Sequence, residues 1–300
     1  MKKFAILLAL LAFLTGCSST KEYAPIAATT LPVYEFTSRL CEGTGLSVTR
    51  LVTESVSCLH DYSLNVAQVR AAEAAETIVI NGAGLEEFME DLLHDTDCID
   101  SSAEIDILEF EEGRDHDHDH DHGAKEEEDH SGHHHEQDSH IWLSPANAMV
   151  MSRNICEGLC SRYPQHADTF RENLEALLAD LEALQTYGEG QLEDLSCREL
   201  ITFHDGFAYF AQCYDLEIIR AVEEESGAEA SAAELIELIE EVEHHDLPAI
   251  FTEINGSVSA ANIIARETGA ALYTLDMAMS GDSWFDAMYH NIDTIKEALQ

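Results

Sequence analysis

Three short stretches, far apart in the chain, each present a histidine in a setting suited to metal ligation. They are Leu59-His60-Asp61-Tyr62, Asp138-Ser139-His140-Ile141-Trp142 and Ile201-Thr202-Phe203-His204-Asp205-Gly206-Phe207. Zn2+ takes neutral imidazole nitrogens in tetrahedral geometry, and a folded site collects such donors from separate segments. A single histidine at a strand end is usually just a satisfied polar residue. Three of them, beside a second reservoir of imidazole, argue for transition-metal chemistry. That reservoir is the acid- and histidine-rich stretch 111–138, with His116, His118, His120, His122, His130, His133, His134 and His135. It holds almost nothing apolar and cannot bury enough surface to order itself, so a flexible loop just ahead of His140 is expected. His94, His166 and His290 have no such company and read as surface residues. His244-His245 ends a helical pattern, where the helix dipole favours it.

The elements that must carry these histidines follow from periodicity. Short β-rich runs at 26–29, 47–52, 77–81, 200–203, 249–252 and 271–275 alternate with helical patterns, the signature of parallel α/β layers. Ser144-Pro145 is an N-cap with proline in the first turn, opening a helix to about Tyr163. Ser231-Ala232-Ala233-Glu234 is a capping box ahead of the Leu235, Ile236, Ile239, Val242 stripe. Residues 165–192 place Phe170, Leu174, Leu177, Leu178, Leu181 and Leu184 at three- and four-residue spacing, which predicts one long interdomain helix. The expected fold is two parallel-sheet α/β lobes joined by that helix, with the metal in the cleft between them. In open α/β sheets ligands bind outside the carboxyl ends of the strands. His204 and Asp276 directly follow strands, His60 follows one by a loop, and His140 leads into a capped helix. Glu253 reads as a solvated or helix-capping carboxylate in preference to one that stands behind a metal ligand.

The 300 residues carry 15 Lys+Arg and 59 Asp+Glu, a net charge of -44. Such a surface repels nucleic acid and attracts cations. Lys2-Lys3 and the apolar run 4–14 read as a signal peptide, too short to span a membrane. Leu14-Thr15-Gly16-Cys17 looks like a bacterial lipobox, which implies cleavage before Cys17 and acylation of its thiol, anchoring the protein to a membrane. The expected organisation is a signal peptide at 1–17, a tether at 18–23, an N-terminal domain at 24–164, the linker helix at 165–192 and a C-terminal domain at 193–300. Cys41, Cys58, Cys98, Cys156, Cys160, Cys197 and Cys213 remain, an odd number with no CxxC spacing, which argues against a cysteine zinc ribbon. A Cys197–Cys213 bridge is expected at the lower end of the second domain, contributing about 3 kcal/mol on a chain-entropy estimate. Cys156 and Cys160, one helical turn apart, compete for partners.

The motifs resemble the substrate-binding lipoproteins of zinc and manganese ABC transporters, solute-binding protein family 9, across residues 24–300. Leu59-His60-Asp61-Tyr62-Ser63 is similar to that family's first ligand loop. Asp138-Ser139-His140-Ile141-Trp142-Leu143-Ser144-Pro145 is similar to its second, and Phe203-His204-Asp205-Gly206-Phe207-Ala208-Tyr209-Phe210 to its third. Ile250-Phe251-Thr252-Glu253 is similar to its usual C-terminal strand. The resemblance implies His60, His140 and His204 as ligands to one Zn2+, with Asp276 or water in the fourth position. It implies a monomeric receptor that passes the ion to a membrane permease of an ABC importer, and it implies no catalysis. Manganese-type members place a glutamate where this chain has His204, so imidazole there moves the site towards zinc. A manganese or other divalent-metal receptor is the alternative within the family.

A secreted zinc hydrolase, with three histidines and an open position for an activated water, is the rival of another class. The sequence lacks HExxH and any paired base motif, which argues against it. The loop yields a prediction. Disordered sites must be ordered by the ion they bind, so they hold it more weakly than a preorganised one. Deleting residues 113–136 and titrating zinc by calorimetry should leave one tight equivalent and remove the weak ones. Loss of the tight equivalent would make the loop part of the primary site.

Overall fold

A computed structural model describes residues 23–55, 59, 62–94, 96, 98–109, 137–223, 230–254, 256 and 258–300. Cys17, Cys58, His60 and the histidines of the 111–138 loop lie outside the described residues. In the first lobe β1 (Ile26–Ala28) is wholly buried and pairs in parallel with β2 (Val48–Arg50) on one side and β3 (Thr77–Ile80) on the other. A third parallel pairing adds β4 (Cys98–Asp100), giving the order β2-β1-β3-β4. The centre of a parallel sheet is covered on both faces, which is why its strands read as unbroken apolar runs. Helix α1 (Leu31–Leu40) follows β1 after Thr29-Thr30 and starts with proline in its first turn. Helix α2 (Val66–Ala74) is opened by a capping box between Asn65 and Gln68, and the short α3 (Glu90–Leu93) leads towards β4.

Two long helices follow. In α4 (Pro145–Arg162) the Ser144 hydroxyl accepts from the Asn147 amide at 3.3 Å, as its sequence signature predicts. Helix α5 (Ala167–Gln191) buries Phe170, Leu177, Leu181, Leu184 and Gly188 against α4 and α1. At about 1.5 Å per residue it runs nearly 40 Å, which makes it the expected joint between the lobes.

The second lobe carries β5 (Glu199–His204), the short α6 (Ala208–Cys213) and β6 (Glu217–Glu223). After them come α7 (Ala232–His244), β7 (Ala249–Glu253), α8 (Ser259–Thr268), β8 (Ala271–Leu275) and α9 (Trp284–Leu299). The parallel pairs β5-β6 and β7-β8 lie side by side, with β5 against β7. Ser231 and Glu234 cap α7 reciprocally. Two strands escape the periodicity reading. β4 is three residues long, and β6 carries Glu217, Arg220 and Glu223 on a lobe-edge strand.

Two expectations need correction. Cys197 and Cys213 are free thiols. The Cys197 thiol donates to the Glu199 carbonyl at 3.4 Å, while Cys213 hydrogen-bonds with Ser144 at the head of α4. They face different neighbours although their segments are close in sequence. Glu253 is buried at the end of β7, not solvated.

The lobes do not have separate interiors. One apolar cluster runs from Ile26, Phe36 and Val79 through Leu177 and Leu181 to Phe210, Phe251, Met288 and Ile292. Helix α9 packs on both α5 and β8. Its first residue, Trp284, is fully buried, stacks edge-on against Phe36 at 5.0 Å, and donates from Nε1 to the Trp142 carbonyl at 3.1 Å. Glu35 of α1 accepts the Trp284 amide at 2.5 Å and the Ser283 hydroxyl at 3.3 Å, so a first-lobe carboxylate caps a second-lobe helix. Its pKa is raised, chiefly by burial. Among the described residues no helix is long and apolar enough to cross a membrane.

Gly188 shows how tightly α5 meets the second lobe. A Cβ there would lie 2.4 Å from the Tyr214 ring. Alanine in a helix normally gains up to about 1 kcal/mol over glycine. Here the overpacking cost, about 1–3 kcal/mol, should exceed that gain. Gly188→Ala should therefore lower the thermal midpoint by scanning calorimetry, and a rise would disprove the close contact.

Candidate metal centre

Two of the expected ligands meet. His204 is the last residue of β5, and His140 precedes the turn that enters α4. Their rings are 5.3 Å apart between centroids and nearly perpendicular, and they are only 7% and 3% exposed. The His140 Nδ1 lies 2.7 Å from Asp138 Oδ1, which also accepts the His140 amide at 2.9 Å. A carboxylate can only accept, so Nδ1 donates to it and Nε2 is the nitrogen turned away from Asp138. A carboxylate behind a ligating imidazole is the usual device for fixing tautomer and ring angle.

The surroundings hold that arrangement in place. Tyr209 of α6 donates to the Asp138 carbonyl at 3.0 Å and accepts from the Leu108 amide at 2.9 Å, so a second-lobe phenol grips the first-lobe ligand segment. Burial pushes that phenol up to about 12, so it stays a donor. The backbone turns sharply after His204, with the Gly206 amide on the His204 carbonyl at 3.0 Å. A Cβ on Gly206 would lie 3.2 Å from His140 Nε2 and 2.6 Å from the Met277 methyl. Only glycine leaves the lone pair clear. Trp142 reaches across to donate from Nε1 to the Met277 carbonyl at 2.7 Å, with its ring 5.2 Å from that of His140.

Asp276 follows β8 as expected. Its Oδ1 accepts the Ala278 amide at 2.8 Å, and its backbone is held on both sides by Asn291 at 2.7 Å. Burial raises its pKa against the opposing pull of that amide and of His290. Among the described residues no three His, Cys, Asp or Glu side chains stand together as a metal group. Asp276 therefore does not close a set with His140 and His204 in this conformation. His60 lies outside the described residues. Its neighbours in sequence are well held: Leu59 is buried, and the Tyr62 ring packs on Phe88 at 5.3 Å while its hydroxyl donates to Glu54.

Of the remaining histidines, His94 and His290 are exposed as expected, and His166 is half-buried beside Phe170. His245 does more than meet a helix dipole. Its Nδ1 lies 2.8 Å from Glu199 and its Nε2 3.4 Å from Glu241.

Sequence reasoning quoted Asp138, Gly206 and Tyr209 within the motifs but gave them no role. It missed Glu86 altogether. That carboxylate is buried where β1 and β3 end, accepting from the Thr29 hydroxyl at 2.6 Å, the Asn81 amide at 2.8 Å and the Gly82 amide at 3.0 Å. The Asn81 side chain then donates to the Ser139 carbonyl at 3.1 Å, one residue before His140. Glu86 thus braces the loop beneath the ligand.

The architecture is a two-lobed α/β fold with buried imidazoles facing each other at the strand ends. The family model for zinc-uptake complex component A, periplasmic (ZnuA), matches residues 26–298, and the chain belongs to this family. The zinc-binding lipoprotein AdcA of Streptococcus pneumoniae is 32% identical, with 99% of this chain and 61% of that protein covered. The chain thus spans about three-fifths of that relative's length. The manganese-binding lipoprotein MntA of Halalkalibacterium halodurans is 25% identical, covering 80% of this chain and 77% of that one. A crystal structure of ZnuA superposes with a TM-score of 0.75 at 28% identity, covering 92% of this chain and 99% of that one.

Burial of Glu86, with Asp100 adding to it, pushes its pKa up to about 7 despite the three donors. The folded value exceeds the unfolded one, so folding favours the protonated form. Stability should fall as pH rises from about 4.5 to about 7, by roughly 3 kcal/mol in all. Glu86→Gln removes this dependence but turns an amide group towards one donor, which costs about 1 kcal/mol. In urea unfolding, the variant should be less stable than the parent at pH 5 and equal or more stable at pH 8. Parallel pH profiles would show that Glu86 does not ionise as described.

Proposed function

We propose that the chain is an extracytoplasmic receptor that captures Zn2+ between its lobes and delivers it to the permease of an ABC importer. The observation that carries this reading is the His140–His204 pair, buried, oriented and with Nε2 of His140 kept free by Asp138. Neutral imidazole is the form that ligates. His60 is assigned as the third ligand, from a loop whose flanking residues are anchored, and Asp276 or water as the fourth. Asp276 joins by exchanging its bond to the Ala278 amide for the metal. AdcA is named as zinc-binding, and two imidazoles set close together suit zinc better than the harder, oxygen-preferring Mn2+. The metal is cargo, so no turnover is expected of this site. The manganese reading rests on MntA and would be preferred if Mn2+ outcompeted Zn2+.

The remaining assignments complete the picture. Acylation at Cys17 holds the mature chain on a membrane as a monomer, with lobes at 24–164 and 193–300 and the helix at 165–192 between them. The histidines of the 111–138 loop concentrate Zn2+ near the cleft.

The test is a zinc titration of the full chain after metal stripping. One tight equivalent is expected. His204→Ala should weaken it by a hundredfold or more while circular dichroism is unchanged, and binding should collapse below about pH 5–6 as the imidazoles protonate. Unchanged affinity in His204→Ala would remove the assignment, and hydrolysis of ester or peptide substrates would revive the enzyme.

A further inference from the structure

Cys156 and Cys160 stand one turn apart on α4, on the far side of the first lobe's ligand segment. Both are free, and their sulfurs are 4.0 Å apart. Cys156 is buried and Cys160 half-exposed, so the pair is reached from the Cys160 side, where its thiol also meets the Ala167 carbonyl at 3.7 Å. Exported thiols so close together suggest a disulfide first, but the backbone disfavours it. Residues four apart on a helix hold their Cβ atoms about 5–6 Å apart. A disulfide wants about 3.5–4.5 Å between Cβ atoms and about 2.0 Å between sulfurs.

The same spacing suits two sulfurs on one ion. With bonds of about 2.3 Å, two thiolates on a tetrahedral zinc are about 3.8 Å apart, and a larger soft cation widens that slightly. The geometry points to a second metal seat on this chain, a two-thiolate site at Cys156 and Cys160 for soft divalent cations such as Cd2+, separate from the histidine cleft. Among the described residues no third His, Cys, Asp or Glu joins it, so solvent completes the coordination. Two thiolates without imidazole or carboxylate favour the softer ion over Zn2+.

Charge around the pair permits this. Arg171 faces Cys156 but is paired with Asp168 at 3.2 Å, and Glu157 lies on the same helix. Burial, with Cys160 adding to it, pushes the Cys156 thiol up to about 12. The Cys156 thiol therefore keeps its proton until an ion displaces it. Binding writes as two thiols plus Cd2+ giving a neutral Cd(thiolate)2 unit and two protons released to solvent.

The test adds Cd2+ to the full chain with its cleft already loaded with one equivalent of Zn2+, and reads the ultraviolet sulfur-to-cadmium charge-transfer band. The parent should show the band at one added equivalent, with apparent affinity rising up to about a hundredfold per pH unit because two protons leave. Cys160→Ser should abolish it while the zinc equivalent is unchanged. Cys156→Ser should do the same, and the half-exposed position 160 guards against a folding defect at the buried one. No band in the parent, a band that survives Cys160→Ser, a pH-independent affinity, or a Cys156–Cys160 disulfide found by peptide mapping of the purified protein would each overturn the proposal.

Discussion

Two buried imidazoles, His140 of the first lobe and His204 of the second, face each other, and much of the local structure fixes them there. The Asp138 carboxylate holds Nδ1 of His140 and leaves Nε2 turned away from it. Tyr209 and the Asn81 side chain fix the backbone on which Asp138 and His140 ride, from the second lobe and from the sheet respectively. Gly206 keeps a side chain away from the free lone pair. Each would be an unremarkable polar or small residue elsewhere. Together they settle where the His140 ring sits and which way it points.

The lobes are joined more closely than a linker helix alone implies. Apolar side chains from both form one cluster, and the two tryptophans cross the seam, Trp142 donating to the Met277 carbonyl and Trp284 to the Trp142 carbonyl. Arg50 adds a bond to the Gly281 carbonyl at 2.8 Å, and Glu35 caps α9. Opening this molecule like a hinge would expose that seam and break the cap, at a cost of many kcal/mol for the large side chains involved.

Much of this was legible in the sequence where local rules govern. The Ser144 and Ser231 caps, the 25-residue α5 and the histidine at the end of β5 each follow from spacing alone. What escaped was set by distant neighbours. β4 is too short to show a period, and β6 carries charges at the lobe's edge. Glu253 is buried because β7 ends beside Phe203 and the Gly256 turn, neither of which its own segment announces. Glu86 looks like any acid in an Asn81-to-Met89 loop until three donors converge on it. The expected Cys197–Cys213 bridge failed for the same reason: closeness along the chain fixed the ends of the elements but not the direction of the thiols.

The tryptophan seam has a practical side. The chain contains 2 tryptophans, and both are buried there, one with its ring 5.2 Å from His140. Its tryptophan emission therefore arises from the join between the lobes and borders the His140–His204 pair. The molecule carries its own optical reporter, placed where occupancy of the cleft and any slip of one lobe against the other would both alter the light it emits.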